Sequence, residues 1–276
     1  VGGTGKTPMT EYVLNLLRNK HTLATLSRGY GRTTSGYRDV TSDSKAVEVG
    51  DEPLQFAMKF PEVHVAVCER RVAGIDKLRL KKPEPEVVIL DDVFQHRKVK
   101  PGFLIMLTAF NDLFYKDLVL PAGNLRESRS GAERAHAIIV TKCPTDLSLE
   151  AQKSIAEKIS AYAEAKVFFS TIAYEELHDD TQKIDWSQLA NQNISVVTGI
   201  AKPRPFLAYL TAKGLHYDHI AYGDHHNFSE RELAALDQKE CIITTEKDYM
   251  RLKGKLKKAQ LYYLPIAFQF LKDAEV

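Results

Sequence analysis

The chain has 276 residues, 44% hydrophobic and 27% charged, which suits one large or two smaller globular domains and excludes a disordered, collagen-like or disulfide-stapled chain. Its 38 Lys and Arg against 36 Asp and Glu leave a net charge of +2, so composition gives no global electrostatic case for nucleic-acid binding. Cys68, Cys143 and Cys241 stand apart without a Cys-x-x-Cys pair, which argues against a zinc cage and fits a reducing compartment, and no apolar run approaches the ~20 residues of a membrane span.

The chain opens on Val1-Gly2-Gly3-Thr4-Gly5-Lys6-Thr7, which reads as the end of a phosphate-binding loop. Its glycines let backbone N–H groups turn inward around phosphate oxygens, so Gly2, Gly3, Thr4 and Gly5 are expected at the nucleotide. The Lys6 ammonium can reach the β- and γ-phosphates, and the Thr7 hydroxyl can hold Mg²⁺. A helix is expected next, because Met9, Tyr12, Val13, Leu16 and Leu17 recur at helical spacing. Pro8 falls in its first turn, where a missing N–H costs little. Such a loop follows a strand. That strand, and the motif's first glycine, are expected upstream of Val1.

Short apolar runs then alternate with helix-like stretches. Thr22–Leu26, His64–Cys68, Val87–Leu90, Phe103–Leu107, Ala137–Val140 and Val167–Thr171 read as strands, and Ser148–Glu164 as an amphipathic helix. Near-continuous apolar strands alternating with helices predict an α/β fold with a doubly wound, mostly parallel sheet. The polar stretch Asp179–Asn193 reads as a connection. A second unit follows: strand Ile194–Ile200, helix Pro205–Lys213, strand Tyr217–Tyr222, a helix over Ser229–Gln238 opened by a Ser229/Glu232 capping box, strand Cys241–Thr245, and a last strand over Leu261–Pro265. The expected division is a first domain over 1–188, completed by 263–276, and a smaller α/β lobe over 189–262.

Several loops carry chemistry. Val87-Val88-Ile89-Leu90-Asp91-Asp92 is an apolar strand ending in two carboxylates, the oxygen ligands that Mg²⁺ prefers, placed to meet Lys6 and Thr7. Gly50-Asp51-Glu52-Pro53 permits two readings: a carboxylate that takes a proton from an attacking hydroxyl, or a helix N-terminus with both acids favoured by its dipole. Ser27-Arg28-Gly29-Tyr30-Gly31-Arg32 can grip an anionic, partly apolar substrate or be an ordinary basic loop. Glu69-Arg70-Arg71 and Leu125-Arg126-Glu127 offer arginines for a transferring phosphoryl group or for surface ion pairs. Gly223-Asp224-His225-His226 lacks a zinc spacing but can supply a histidine base across a cleft. Thr244-Thr245-Glu246-Lys247-Asp248 reads as a polar strand-to-helix turn. At Thr141-Lys142-Cys143-Pro144, proline replaces the aspartate of a guanine reader, and Trp186 reads as a packing residue.

In this order the pieces resemble the tetraacyldisaccharide 4′-kinase family, the lipid A 4′-kinases. The resemblance rests on VGGTGKTP (1–8), SRGYGR (27–32), VGDEP (49–53), LDDVFQH (90–96), LPAGNLRE (120–127), GIAKPRPF (199–206), GDHHNF (223–228) and TTEKD (244–248). It implies a fold like that of P-loop NTPases, with a smaller C-terminal lobe on a two-stranded linker. It also implies transfer of the ATP γ-phosphoryl group to the 4′-hydroxyl of tetraacyldisaccharide 1-phosphate, with Mg²⁺, at the cytoplasmic face of the inner membrane of Gram-negative bacteria. Lys6 and Thr7 match the phosphate and magnesium positions, and Asp91 and Asp92 the metal-proximal pair. Asp51 matches the base and His225 its partner from the other lobe. Tyr30 falls near the acceptor, with Arg28 and Glu52 in the same matching stretches. Arg70, His96, Arg126 and Glu127 match polar positions lining the site. Members of the family begin with a longer leading segment that meets the bilayer; here membrane contact is expected mainly through it. No protein partner and no nucleic acid are expected. Other readings stay open on the residues alone: a P-loop enzyme acting on a soluble small molecule, such as a biotin-pathway ligase-like ATPase, a nucleotide-dependent binding switch, or a non-catalytic fragment.

Overall fold

A computed structural model describes residues 3–96, 98–179 and 181–271. The helix after the glycine turn, α1 (Lys6–Leu17), leads to β1 (Leu23–Ser27), which is buried along its whole length. Then come β2 (Arg38–Val40), the single turn α2 (Ala46–Val49), α3 (Asp51–Lys59), β3 (His64–Val67), α4 (Arg71–Leu78) and β4 (Val87–Leu90). β5 (Ile105–Ala109), β6 (Ala137–Thr141), α5 (Leu149–Ser160) and β7 (Lys166–Tyr174) complete the first part. The second comprises β8 (Leu177–His178), β9 (Lys183–Ile184), β10 (Ile194–Thr198), α6 (Arg204–Ala212), β11 (Tyr217–Ala221), α7 (Glu230–Leu236), β12 (Cys241–Thr245), α8 (Glu246–Leu252) and β13 (Gln260–Leu264). The chain then returns as β14 (Ile266–Phe270).

The α/β reading holds: three sheets form, each with a parallel core. Their orders are β2-β3-β1-β4, β14-β7-β6-β5 and β11-β10-β12-β13-β8-β9. β1 runs parallel to β3 and β4, β6 to β5 and β7, and β12 to β10 and β13, while β2, β14, β8 and β9 pair antiparallel at or near the margins. β4 and β5 each end a sheet, and 87–90 and 105–107 are only half-buried, as strands with one open edge. α1 packs with both: Met9 meets Ile139 and Phe268, and Leu14 enters the core of Leu23, Phe56 and Val65.

Two registers position the loops. Leu23–Leu26 pair with 87–90, and 24–27 with 64–67, so β1, β3 and β4 end level and loops 27–32, 68–71 and 91–96 emerge together. In the other sheet Val197 pairs with Thr244 and Thr198 with Ala221, so loops 199–203 and 222–228 emerge beside the start of α8. The chain crosses between these parts twice, through the adjacent antiparallel strands β7 and β14, where Ile266 pairs with Tyr174.

Some local expectations change. The polar connection 179–193 contains β9 and a 3₁₀ turn over Trp186–Leu189, because Ile184 and Leu189 bury themselves in the second core. Trp186 packs against that core. α5 stops at Ser160, capped at its start by the Ser148 hydroxyl. The capping box at Ser229 and Glu232 forms as its spacing predicts.

Candidate active site

The glycine turn leads into α1 with Gly3 and Gly5 at φ of +75° and +90°. At Gly5 a Cβ would also stand 3.2 Å from the Phe268 ring, so a larger residue would be strained in its backbone and would press the ring aside. Gly2 lies outside the described residues. Thr141, at the tip of β6, donates its hydroxyl to the Thr4 carbonyl at 2.9 Å and so tethers the turn. Thr7 and Pro8 occupy the first turn of the helix.

Lys6 Nζ lies 3.7 Å from Asp92 Oδ1, and Arg126 Nη1 donates to Asp92 Oδ2 at 3.1 Å. The tip of β4 therefore meets the phosphate loop. Asp92 adopts φ of +50°, a conformation that a non-glycine residue holds only where its surroundings enforce it. Burial works to raise its proton affinity, but Lys6 and Arg126 outweigh it and hold the carboxyl below its ordinary value. Asp91 behaves oppositely. Burial pushes it up to about 6, and the charge of Glu52 adds to that. Arg71 Nη2 donates to the Asp91 carbonyl at 3.2 Å and fixes the backbone there.

Among the described residues no group of three or more His, Cys, Asp and Glu side chains forms a metal cage. Mg²⁺ needs none, because it takes one or two carboxylates and fills its shell with phosphate and water. Thr7, Asp91 and Asp92 offer hard oxygens beside the loop, and the buried Asp91 carboxylate is one that a cation favours. The donor set fits the ion.

A second cluster assembles at the N-terminus of α3. Gly50 is its N-cap and Asp51 and Glu52 occupy the first turn, so the helix-start reading of this tetrapeptide is correct, and it is the helix that aims both acids. Asp51 Oδ2 lies 3.3 Å from His225 Nδ1 and accepts from Arg251 Nε at 3.0 Å and from Arg251 Nη2. Glu52 pairs with Lys247 at 2.8 Å. The Tyr30 ring, largely exposed, stands 5.3 Å from the His225 ring. At Gly29 a Cβ would fall 2.7 Å from the Val49 carbonyl, so that glycine lets loop 27–32 lie against the turn that carries Asp51.

The remaining expected residues surround these clusters. Arg28 is exposed after β1, and with Arg71 it opposes protonation of His96, whose proton affinity burial already lowers. Arg70 is exposed at the N-cap of α4. Glu127 accepts from Gln95 at 2.9 Å and Arg134 at 2.7 Å. Of the two arginines in loop 27–32, Arg32 is buried against Glu69 and serves the loop's own structure. The adjacent histidines diverge: His225 faces Asp51, whereas His226 pairs with Glu232 at 3.1 Å and stacks on Tyr222.

Sequence reasoning missed Arg251 and Lys247, and of the pair Arg70 and Arg71 it carried forward Arg70, whereas Arg71 is the one that reaches the tip of β4. The first two sit in or just after TTEKD, and their spacing becomes meaningful only once α8 is known to lie against α3.

The profile of the family described as Tetraacyldisaccharide-1-P 4′-kinase matches residues 1–276. A tetraacyldisaccharide 4′-kinase of Flavobacterium johnsoniae is 47% identical over 279 residues, covering 100% of this chain and 82% of the relative. One of Bacteroides thetaiotaomicron is 41% identical over 300 residues, covering 100% of this chain and 79% of the relative. Among solved structures, LpxK from Aquifex aeolicus in complex with ATP superposes with a TM-score of 0.77 at 28% identity, covering 99% of this chain and 82% of that one.

Proposed function

The chain belongs to the tetraacyldisaccharide-1-P 4′-kinase family, and from that membership and the geometry above we infer both its reaction and the division of labour among its residues. The protein transfers the γ-phosphoryl group of ATP to the 4′-hydroxyl of tetraacyldisaccharide 1-phosphate, giving the bis-phosphorylated lipid A precursor. It is an ATP-dependent kinase that uses Mg²⁺.

The roles follow from charge and position. Backbone N–H groups of residues 3–5 cradle the phosphates, and Lys6 and Arg126 neutralise their oxygens. Thr7, Asp91 and Asp92 would hold Mg²⁺, which when bound offsets phosphate charge. Asp51 takes the proton of the acceptor hydroxyl as its oxygen bonds to the γ-phosphorus and the bond to the ADP oxygen breaks. His225 supports that carboxylate from the other side of the cleft. Arg28, Tyr30, Glu52, His96, Arg70 and Glu127 line the path on which the phosphorylated disaccharide lies. The observations that carry this reading are geometric: Lys6 of the glycine turn lies 3.7 Å from Asp92 at the tip of β4, and Asp51 at the start of α3 lies 3.3 Å from His225.

Two domains are proposed, a phosphate-loop unit closed by β14 and a smaller α/β lobe, with the cleft between them. No helix among the described residues is long and apolar enough to cross a membrane. The acceptor's acyl chains support a peripheral place at the cytoplasmic face of the inner membrane.

The test uses mixed detergent micelles with Mg-ATP and tetraacyldisaccharide 1-phosphate, read by mass spectrometry. One added phosphoryl group that disappears with Lys6→Ala is expected. A folded, ATP-binding protein that leaves the acceptor unmodified would sink the assignment and favour a soluble acceptor.

A further inference from the structure

Arg251 is a cation almost removed from water, with a side chain 5% exposed beside the 12% of Asp51. Its Nε and Nη2 both donate to Asp51 Oδ2, and Nη2 also lies 3.0 Å from His225 Nδ1. Its Nη1 donates to Asp248 Oδ1 at 3.2 Å. Asp248 is itself fixed: its Oδ2 accepts from the Gly199 N–H at 2.8 Å and from the Thr245 hydroxyl at 2.7 Å. A Cβ at Gly199 would stand 2.8 Å from Asp248 Oδ1, so that loop closes on the carboxylate only as glycine. The guanidinium is thus held by Asp248, itself fixed by Gly199 and Thr245, and by His225, and it reaches across to Asp51 on α3.

We propose that Arg251 is the positioning residue of the phosphoryl transfer, locking Asp51 Oδ2 and His225 Nδ1 to the frame of the smaller lobe and leaving Asp51 Oδ1 toward the acceptor hydroxyl. This rests on Asp51 being the base. The physical reasons are the donor geometry and permanence of arginine. A guanidinium never loses its proton at working pH, so it is a donor in every state. Its fork sets the direction of the carboxylate as well as the distance, and charge-assisted bonds of this kind are strong in a water-poor site. Because Arg251 sits on α8 and Asp51 on α3, the base is oriented only when the two units are docked. Orientation of a base is worth orders of magnitude in rate without any change in nucleotide affinity.

The test compares Arg251→Ala, Arg251→Lys and Asp248→Asn with the unaltered protein at saturating acceptor and varied Mg-ATP. Arg251→Ala is expected to lower kcat by about tenfold to a hundredfold while KM for ATP stays within about twofold. Arg251→Lys, which keeps the charge without the fork, is expected to recover part of the loss. Imidazole nitrogen resonances of His225 give a readout independent of turnover, and Arg251→Ala should shift them. An unaltered kcat in Arg251→Ala, or unshifted His225 resonances, overturns the proposal while leaving the kinase assignment intact. A kcat loss matched by an equal rise in KM for ATP also overturns it, since the effect would then be general. If the unaltered protein leaves the acceptor unmodified, the kinase assignment fails and this proposal fails with it.

Discussion

Lys59 Nζ lies 2.9 Å from Glu246 Oε1, joining the end of α3 remote from Asp51 to the first residue of α8. Ion pairs therefore join the two helices along their length: Asp51 with Arg251, Glu52 with Lys247, and Lys59 with Glu246. Lys59 also reaches Glu11 on α1 at 2.8 Å, and Gln55 donates to both Glu11 and Glu246. The helix that carries the phosphate loop, the helix that carries Asp51 and the helix that carries Arg251 share one buried polar cluster. Such a cluster fixes relative orientation more than it adds stability, because desolvation offsets much of the attraction.

That cluster predicts a pH dependence of folding. Burial, reinforced by the charge of Glu11, pushes Glu246 up to about 7, and burial raises Glu11 as well. The folded protein then holds protons that the unfolded chain releases, so stability falls as pH rises from the ordinary carboxylate range to about 7. Lys59 acts in the same sense, but only at alkaline pH: Glu11 and Glu246 outweigh its burial and raise it, so its stabilisation is lost as pH rises above the ordinary lysine range. Denaturant melts of Glu246→Gln should show a flatter slope between about pH 5 and pH 7. An unchanged slope would exclude Glu246 as its source.

Asp51→Asn should separate chemistry from nucleotide binding. The substitution keeps the shape of the side chain and removes its capacity to take a proton, so kcat is expected to fall about a hundredfold or more. ATP affinity, measured by calorimetry, should change little, because the phosphate loop lies on the other helix. A parallel loss of ATP binding would mean that Asp51 serves the nucleotide instead.

His225→Ala and His226→Ala should diverge although the residues are neighbours. His225 faces Asp51, so its loss should reduce kcat with a near-normal melting temperature. His226 braces Glu232 in the capping box and stacks on Tyr222, so its loss should lower the melting temperature by a few degrees and spare kcat. Similar kinetic losses in both variants would contradict this partition.

Lys6→Ala and removal of Mg²⁺ by a chelator should both abolish turnover. Lys6→Ala should also weaken ATP binding by about tenfold or more, if the ammonium has the phosphate-neutralising role proposed for it. Full turnover in excess chelator would overturn the roles given to Thr7, Asp91 and Asp92.

Much of the site was legible because its motifs are local. A glycine turn followed by Lys6 and Thr7, and an apolar strand ending in Asp91 and Asp92, are each readable within a few residues, and the fold brings Lys6 and Asp92 within 3.7 Å. The capping box at Ser229, whose partners are three residues apart, is readable in the same way. The helix at Asp51 was readable but ambiguous, since acids in a first turn serve both a dipole and a reaction. The return of 263–276 to the first domain was expected, but β14 was not named as a strand, although its Phe268 closes over Gly5; a short apolar run does not announce which strand it will pair with.

Periodicity and bonds between near neighbours suffice to read the kinds of element, the α/β alternation and a glycine turn suited to phosphate. His225 stood as the partner of Asp51 by resemblance, and the fold brings the two within 3.3 Å; that Arg251 meets Asp51 too emerges only in three dimensions. Tertiary structure also decided that Arg32 turns inward while Arg28 and Tyr30 stay exposed. Those outcomes depend on level strand ends and on the docking of α8 against α3, contacts between residues some 200 positions apart. No local preference encodes such a contact; it exists only when two separately specified surfaces bury each other.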